Sequence, residues 1–159
     1  IPRSANYTII AAVRPLAISA TGRVFGARPS GGAISQAWGT MRFETSGKIR
    51  TFFGDDTNSR TTETDVSVLT ANVMHIVAVS YGAGDTTNKI WVDSDLKAVS
   101  SIFGSATSAA GATTAEFGIG RWGANSADNV AGIVWIWNSE LTESQVEAAS
   151  DLLKTHYGI

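Results

Sequence analysis

VMHIVAVSYGAGDTTNKIWVD, residues 73–93, holds two runs rich in β-branched and aromatic residues, separated by a polar stretch with glycines. Val73 to Tyr81 and Lys89 to Asp93 therefore read as strands, and Gly82 to Asn88 as the loop between them. The same pattern continues toward the N-terminus. Tyr7 to Val13 is a β-rich run stopped by Arg14-Pro15, and Arg23 to Ala27 alternates before Pro29 and the turn-forming Gly31-Gly32. Ala33 to Trp38, Met41 to Thr45 and Lys48 to Phe53 follow, with hairpin signals at Gly39-Thr40 and Ser46-Gly47. Asp55 to Asn58 reads as a polar turn, and Asp65 to Leu69 as another strand.

Toward the C-terminus, Lys97 to Phe103 reads as a strand. The small-residue tract Ser105 to Ala115 is a loop, because strand signals resume at Glu116 to Arg121 and again at Ala131 to Trp137. Short strands at a spacing of about ten residues predict a sandwich or barrel and not alternating β and α units. One helix is expected, over Glu143 to Tyr157. Thr142 is its N-cap, with Gln145 completing a capping box, and Gly158 is its left-handed stop. Val146, Ala149, Leu153 and Tyr157 form one apolar stripe, which must pack on the β structure.

Composition narrows the function classes. The chain has 159 residues and reads as a single domain, 1–159, long enough to bury a core without covalent staples. Twelve basic against fourteen acidic residues give a net charge of −2, with no basic run, which argues against nucleic acid as a partner. Cysteine is absent, which excludes disulfide frameworks and thiolate chemistry. No apolar stretch is long enough to span a membrane. The chain begins at Ile1 and not at Met, as expected for a piece of a larger protein.

Gly118-Ile119-Gly120-Arg121-Trp122-Gly123 fits the dinucleotide pattern GxGxxG. The mechanism needs a helix starting at the third glycine, and the turn-like residues Asn125 to Asn129 followed by a strand predict none. Glu63 and Asp65, or Asp93 and Asp95, have a spacing that paired catalytic carboxylates could use. The second pair reads as a turn. His75 and His156 are the only histidines, and no nucleophile elbow is present. No motif requires a cofactor. Calcium is the one metal that the oxygen-rich clusters could hold, at Asp55-Asp56, at Asp93/Asp95, or at Asn125 with Asp128 and Asn129. Plain turn chemistry accounts for the same residues.

The five tryptophans say more. Trp135 and Trp137 share one face of a strand whose other face carries Val134 and Ile136, so both faces are apolar and packing, under the helix or in the core, is the expected role. Trp91 lies in a strand. Trp122, beside Arg121 and followed by Asn125 and Asp128, reads as a loop ring able to stack on a sugar. Trp38 and Arg42 form a second candidate group on a sheet face.

The segments together resemble a family. Met74-His75-Ile76-Val77-Ala78-Val79-Ser80-Tyr81 is similar to the W-H-x-V-A-V-T-Y strand of laminin G-like, concanavalin A-like jelly rolls, and Lys89-Ile90-Trp91-Val92-Asp93 to the following l-Y-v-D-G strand, with Ser94 in place of the turn glycine. Phe117-Gly118-Ile119-Gly120 resembles l-x-I-G, and Gly132 to Asn138 with Leu141 to Val146 resembles the closing signature of the family. The resemblance implies an all-β, two-sheet antiparallel jelly-roll sandwich with one C-terminal helix, used mainly to bind glycans or proteins, sometimes with calcium. Glucanases of the family use an E-x-D-x-x-E strand. Here Val68 stands where its third acid belongs, which argues for binding over hydrolysis.

The expectation is a non-catalytic, lectin-like domain of an extracellular or virion-associated protein, such as a phage tail or bacterial surface protein. Its partner is a surface glycan, with no nucleic acid and no membrane insertion. Trp122, Arg121, Asn125 and Asp128 would be the contacts, with Trp38 and Arg42 as the second group. The alternatives are an assembly module that forms a homo-oligomer through the parent protein and, further off, a glucanase-type enzyme.

Overall fold

The computed structural model describes residues 6–18, 22–27, 38–54, 58–82, 84–104, 117–119, 121–122, 125–126 and 129–159. Two antiparallel sheets pack face to face. The first has five strands: β1 (Tyr7–Pro15), β6 (His75–Tyr81), β7 (Lys89–Val92), β8 (Asp95–Leu96) and β13 (Asn129–Trp137), in the order β13-β1-β6-β7-β8. The second has six: β2 (Gly22–Ala27), β3 (Trp38–Phe43), β4 (Ile49–Gly54), β5 (Ser59–Thr64), β9 (Val99–Gly104) and β10 (Phe117–Ile119), in the order β10-β2-β3-β4-β5-β9. A small hairpin of β11 (Arg121–Trp122) and β12 (Asn125–Ser126) precedes β13, and α1 (Glu143–Tyr157) closes the chain.

Strand parity divides the apolar residues between two layers. Tyr7, Ile9, Ala11 and Val13 of β1 meet Val77, Val79 and Tyr81 of β6 and Met41, Phe43, Ile49 and Phe53 of the other sheet in the core between the sheets. Ile10, Ala12, Ile76, Ala78 and Trp91 point the opposite way, to Val146 and Leu153 of α1. The five-stranded sheet is thus buried on both faces, which explains its uninterrupted apolar runs. Trp135 and Trp137 pack on the helix side, edge to face with ring centroids 5.9 Å apart, while Val134 and Ile136 face the other sheet.

The helix has the expected bounds and caps. Thr142 accepts from the Gln145 N–H at 3.4 Å, the Gln145 side chain accepts from the Thr142 N–H at 2.9 Å, and Gly158 has φ 70°. Between Ala11 and Val13 the β1–β13 register shifts, and there the Tyr157 hydroxyl accepts from the Ile133 N–H at 2.9 Å. A Cβ on Gly132 would lie 2.1 Å from that hydroxyl, so the close approach needs glycine.

Three expectations change. Gly39-Thr40 is not a turn, because β3 runs through it. Phe25 pairs with Met41 and Ala27 with Trp38, so Gly39 and Thr40 oppose the single residue Gly26 in a bulge. Gly39 has φ 53°, and a Cβ there would sit 2.8 Å from Ile9 Cδ1. Asp65 to Leu69 is not a strand. The strand is the more polar Ser59–Thr64, and residues 65–69 bend back so that the Val68 and Leu69 N–H groups both donate to the Gly47 carbonyl at 3.0 Å. Asn125 is not part of a turn-like run, because it pairs with Trp122 in the β11–β12 hairpin. Ala33 to Ala37, Asp55 to Thr57 and Ser105 to Ala115 lie outside the described residues.

Arg60 is an unexpected core residue, fully buried, with its guanidinium 4.5 Å from the Tyr81 ring centroid. Burial pulls its pKa below the usual arginine value, against the opposing pull of Tyr81 and Tyr7. Its Nη2 donates to Asn88 Oδ1 at 3.0 Å, and Asn88 Nδ2 donates to Thr51 Oγ1 at 2.7 Å. The β6–β7 loop is thereby tied to the second sheet.

Candidate functional site

The outer face of the six-stranded sheet mixes buried and half-buried residues: Thr40, Phe52 and Thr61 are buried, while Arg42, Arg50 and Glu63 stay partly exposed. With Met41 and Phe43 in the core, alternation puts Arg42 and Glu44 on the outer face, and likewise Arg50 and Phe52 of β4 and Thr61 and Glu63 of β5. The register lines up Arg23, Arg42, Arg50, Glu63 and Ser100 across five strands, and beside them Thr40, Phe52, Thr61 and Phe103. Arg42 Nε donates to Glu44 Oε1 at 2.5 Å, and Arg50 Nε lies 3.1 Å from the same oxygen. Arg50 Nη2 is 2.5 Å from Glu63 Oε2, and Lys48 Nζ is 3.4 Å from Glu63 Oε1. The Arg42 guanidinium stands 4.7 Å from the Phe52 ring centroid.

Charges of alternating sign therefore hold one another in place, half-buried, with donors and an aromatic ring side by side. Such a surface can hydrogen-bond hydroxyl or carboxylate groups, while Phe52 is buried beneath Arg42. Of the ladder residues, the sequence singles out Arg42, grouped with Trp38, for binding on a sheet face. Glu44, Lys48 and Arg50 were legible too, since the Ser46-Gly47 turn folds the charges of β3 and β4 onto one another, whereas Glu63 arrives with the separate strand β5. The Gly47 N–H donates to the Glu44 carbonyl at 2.9 Å, closing that turn.

The other predicted residues divide as follows. Arg121 pairs with Ser126 and Trp122 with Asn125, and this hairpin contacts β2, the strand that pairs with the Trp38 and Arg42 strand β3. The two candidate groups thus flank one strand. Asp128 and the side chains of Trp38, Arg121, Trp122 and Asn125 lie outside the described residues.

The acid pairs are engaged elsewhere. Asp65 accepts from Ser100 Oγ at 2.7 Å, and Glu63 belongs to the charge ladder. Asp93 lies in the β7–β8 turn with φ 56°, followed by Ser94 at φ 80°. Its carboxylate accepts from the Ile76 N–H at 2.8 Å and contacts His75 Nδ1 at 2.7 Å. His75 Nε2 accepts from the Thr70 N–H at 3.1 Å, so Nδ1 carries the proton and donates to Asp93. Both ring nitrogens of the His–Asp pair are therefore committed to the fold. Burial raises the Asp93 pKa, but the bonds from His75 and Ile76 outweigh it and hold the carboxyl below the usual range. Among the described residues, no three His, Asp or Glu side chains converge as a metal site requires. Asp55, Asp56 and Asp128 lie outside those residues. Of the GxGxxG segment, Gly118 and Ile119 lie in β10 and Arg121 and Trp122 in β11, while Gly120 and Gly123 lie outside the described residues. No helix among the described residues is long and apolar enough to cross a membrane.

Known structures share this architecture. The heptameric SAP-like pentraxin of Limulus polyphemus superposes with a TM-score of 0.61 at 13% identity, over 92% of this chain and 70% of the pentraxin. The sialyllactose-bound CBM40 of the Ruminococcus gnavus IT-sialidase superposes with a TM-score of 0.61 at 12% identity, over 91% of this chain and 82% of the module. Domains LG4-5 of the mouse laminin α1 chain give a TM-score of 0.64 at 13% identity, over 91% of this chain and 38% of theirs. Identities this low speak for the fold alone. No curated protein matches the sequence. Residues 1–147 match the laminin G family described as the concanavalin A-like lectin/glucanases superfamily. With a sandwich of five and six antiparallel strands and nearly the whole chain inside that match, this protein belongs to the concanavalin A-like lectin/glucanase superfamily.

Proposed function

We propose that the chain is a non-catalytic carbohydrate-binding domain that reads a surface glycan on the outer face of the six-stranded sheet. The observation that carries this reading is the ladder of Arg42, Glu44, Arg50 and Glu63 beside Phe52, whose charged side chains keep part of their surface exposed on the outer face of that sheet. The sialyllactose-bound CBM40 lends support as a relative in fold. Trp122, Arg121, Asn125 and Asp128 would add contacts from the neighbouring hairpin, and Trp38 would lie beside Arg42. Binding is favoured over hydrolysis because Val68 replaces the third acid of the glucanase strand and Lys48 and Arg50 hold Glu63. An extracellular or virion-associated parent, of the phage tail or bacterial surface kind, is the setting that suits such a domain.

A glycan array on the chain tests this, with calcium and with chelator. Selective binding that falls at least about tenfold in Arg42→Ala or Trp122→Ala is the expected result. Loss of binding with chelator would make the acidic loop clusters ligands. Silence in both conditions, with the fold intact, would overturn the reading.

One observation favours assembly as a second reading. The edge strand β9 exposes Ile102 and Phe103, the latter 62% accessible. Light scattering at high concentration decides this, because a clean monomer removes the assembly reading.

A further inference from the structure

One side of the sandwich gathers much of the exposed apolar surface. β8 ends the five-stranded sheet, β9 ends the six-stranded sheet, and only Lys97 and Ala98 separate them in the chain, so the two edges lie together. Leu96 of β8 and Ile102 of β9 are nearly half exposed, and Phe103 of β9 more than half. Val66, also more than half exposed, stands beside them, because the Asp65 N–H donates to the Ala98 carbonyl at 3.0 Å and the Asp65 carboxylate accepts from Ser100 Oγ. Four of the nine exposed large apolar side chains among the described residues thus fall on this side.

The strand carries no guard for this edge. β9 pairs with β5, and among the described residues no strand pairs with its far side. Edge strands are ordinarily protected by a charge, a proline or a bulge that turns the edge away. Val99–Gly104 contains neither charge nor proline. It does contain a bulge, since Phe103 pairs with Thr61 and Ser101 with Thr62, which leaves Ile102 as the extra residue. That bulge presents an isoleucine where a guard would be a charge, so it adds apolar surface to the edge. Val99 packs on the core and anchors the strand.

We infer that this edge joins two copies of the chain about a two-fold axis, with β9 antiparallel to β9 and with Ile102 and Phe103 of each copy covered by the other. The inference rests on the assembly reading above and names its interface and partner. Charge selects a second copy as the occupant. The strand is neutral, so it opposes itself without like charges and offers no counter-charge to a charged strand. Asp65, Asp95 and Lys97 stand toward its start, and antiparallel pairing keeps those of the two copies at opposite ends of the strands, on the order of 20 Å apart. Area agrees with this choice. The four apolar side chains come to on the order of 400 Å² per copy, the size at which an exposed patch marks an interaction site. Two copies, with their strand backbones, reach the total of about 1,000 Å² that a specific interface needs. Such a dimer sets two outer faces in one extended sheet, so a ligand-bearing surface is gripped twice.

The test is sedimentation equilibrium of the chain from about 1 to 500 μM. A monomer–dimer equilibrium with a Kd below about 100 μM is expected. Phe103→Asp and Ile102→Lys, each placing a charge at an exposed position, weaken it at least about tenfold, whereas Leu152→Asp, an equally exposed apolar residue on α1, leaves it unchanged. Because the chain has no cysteine, Ile102→Cys reports the contact directly: a short bismaleimide captures the dimer there and not in Leu152→Cys. The cross-link and Ile102→Lys keep the test informative if Phe103→Asp does not fold.

A monomer at every concentration overturns this inference and the assembly reading together. A dimer that persists in both charged variants, or that Leu152→Cys captures as well as Ile102→Cys, overturns the inference alone and leaves assembly to another surface. Association that grows past the dimer without saturating shows a contact that does not close on a two-fold axis, which also overturns it.

Discussion

The two sheets share one core but differ on their far sides. The five-stranded sheet carries α1 on its back, so Ile10, Ala12, Ile76, Ala78 and Trp91 are as deeply buried as the residues facing the other sheet. The six-stranded sheet turns Arg42, Arg50 and Glu63 outward, where they balance one another. Packing dictates nearly every residue of the first sheet. On the outer face of the second, packing fixes Thr40, Phe52 and Thr61 but leaves Arg42, Arg50 and Glu63 partly exposed, so their chemistry is free to serve recognition. Stability and binding should therefore respond to mutation in opposite ways on the two sides.

The largest effect is expected under the helix. Leu153→Ala removes a side chain that is 1% exposed and should cost about 2–5 kcal/mol in chemical denaturation, with glycan binding of the remaining folded protein unchanged. A cost below 1 kcal/mol would mean that the helix is a loosely attached cover and not part of the core. Thr142→Ala should cost about 1 kcal/mol through loss of the cap, measured as a lowered denaturation midpoint with an unchanged slope.

Asp93→Asn should cost a similar amount, about 1 kcal/mol at neutral pH, by weakening the bonds to His75 and Ile76. Its pH dependence is the sharper check. The folded-state pKa of Asp93 lies below the unfolded value near 3.9, so its contribution is complete above that value and is lost as pH falls through the folded one. The difference between wild type and variant should hold steady from pH 7 down to about 5 and shrink below about 4. A difference that grows on acidification would contradict this assignment.

The smallest stability effect is expected on the outer face. Arg42→Ala should change unfolding by less than about 1 kcal/mol, because its ion pair is partly exposed, while glycan binding drops. A large loss of stability there would erase the contrast between the sheets.

Legibility in the sequence followed the same division. β1, β6, β7 and β13 were visible as apolar runs because burial on both faces leaves few polar positions, such as Thr8 and Ser80, to blur the pattern. The helix was visible to its caps, because Thr142, Gln145 and Gly158 act on their own backbone neighbours. The six-stranded sheet was harder to read. Ser59–Thr64 looks polar because its inward positions hold Arg60, Thr62 and Thr64, while Val66, which made Asp65 to Leu69 look like a strand, is 64% exposed. Gly39 resembles a turn glycine, yet its positive φ serves a bulge whose need arises only when Ile9 of the other sheet lies against it.

By itself the sequence determined the all-β class, a sandwich or barrel narrowed to a sandwich by the family resemblance, and the C-terminal helix with its ends, since strand spacing, turn chemistry and capping are local. Tertiary structure alone decided what distant segments do to one another. It made His75 and Asp93 a structural pair, joined Glu44 and Glu63 through Arg50, and placed Trp135 and Trp137 on the helix side. Hydrogen bonds and ion pairs of this kind act over a few ångströms of space but many residues of chain, and only folding fixes which residues meet.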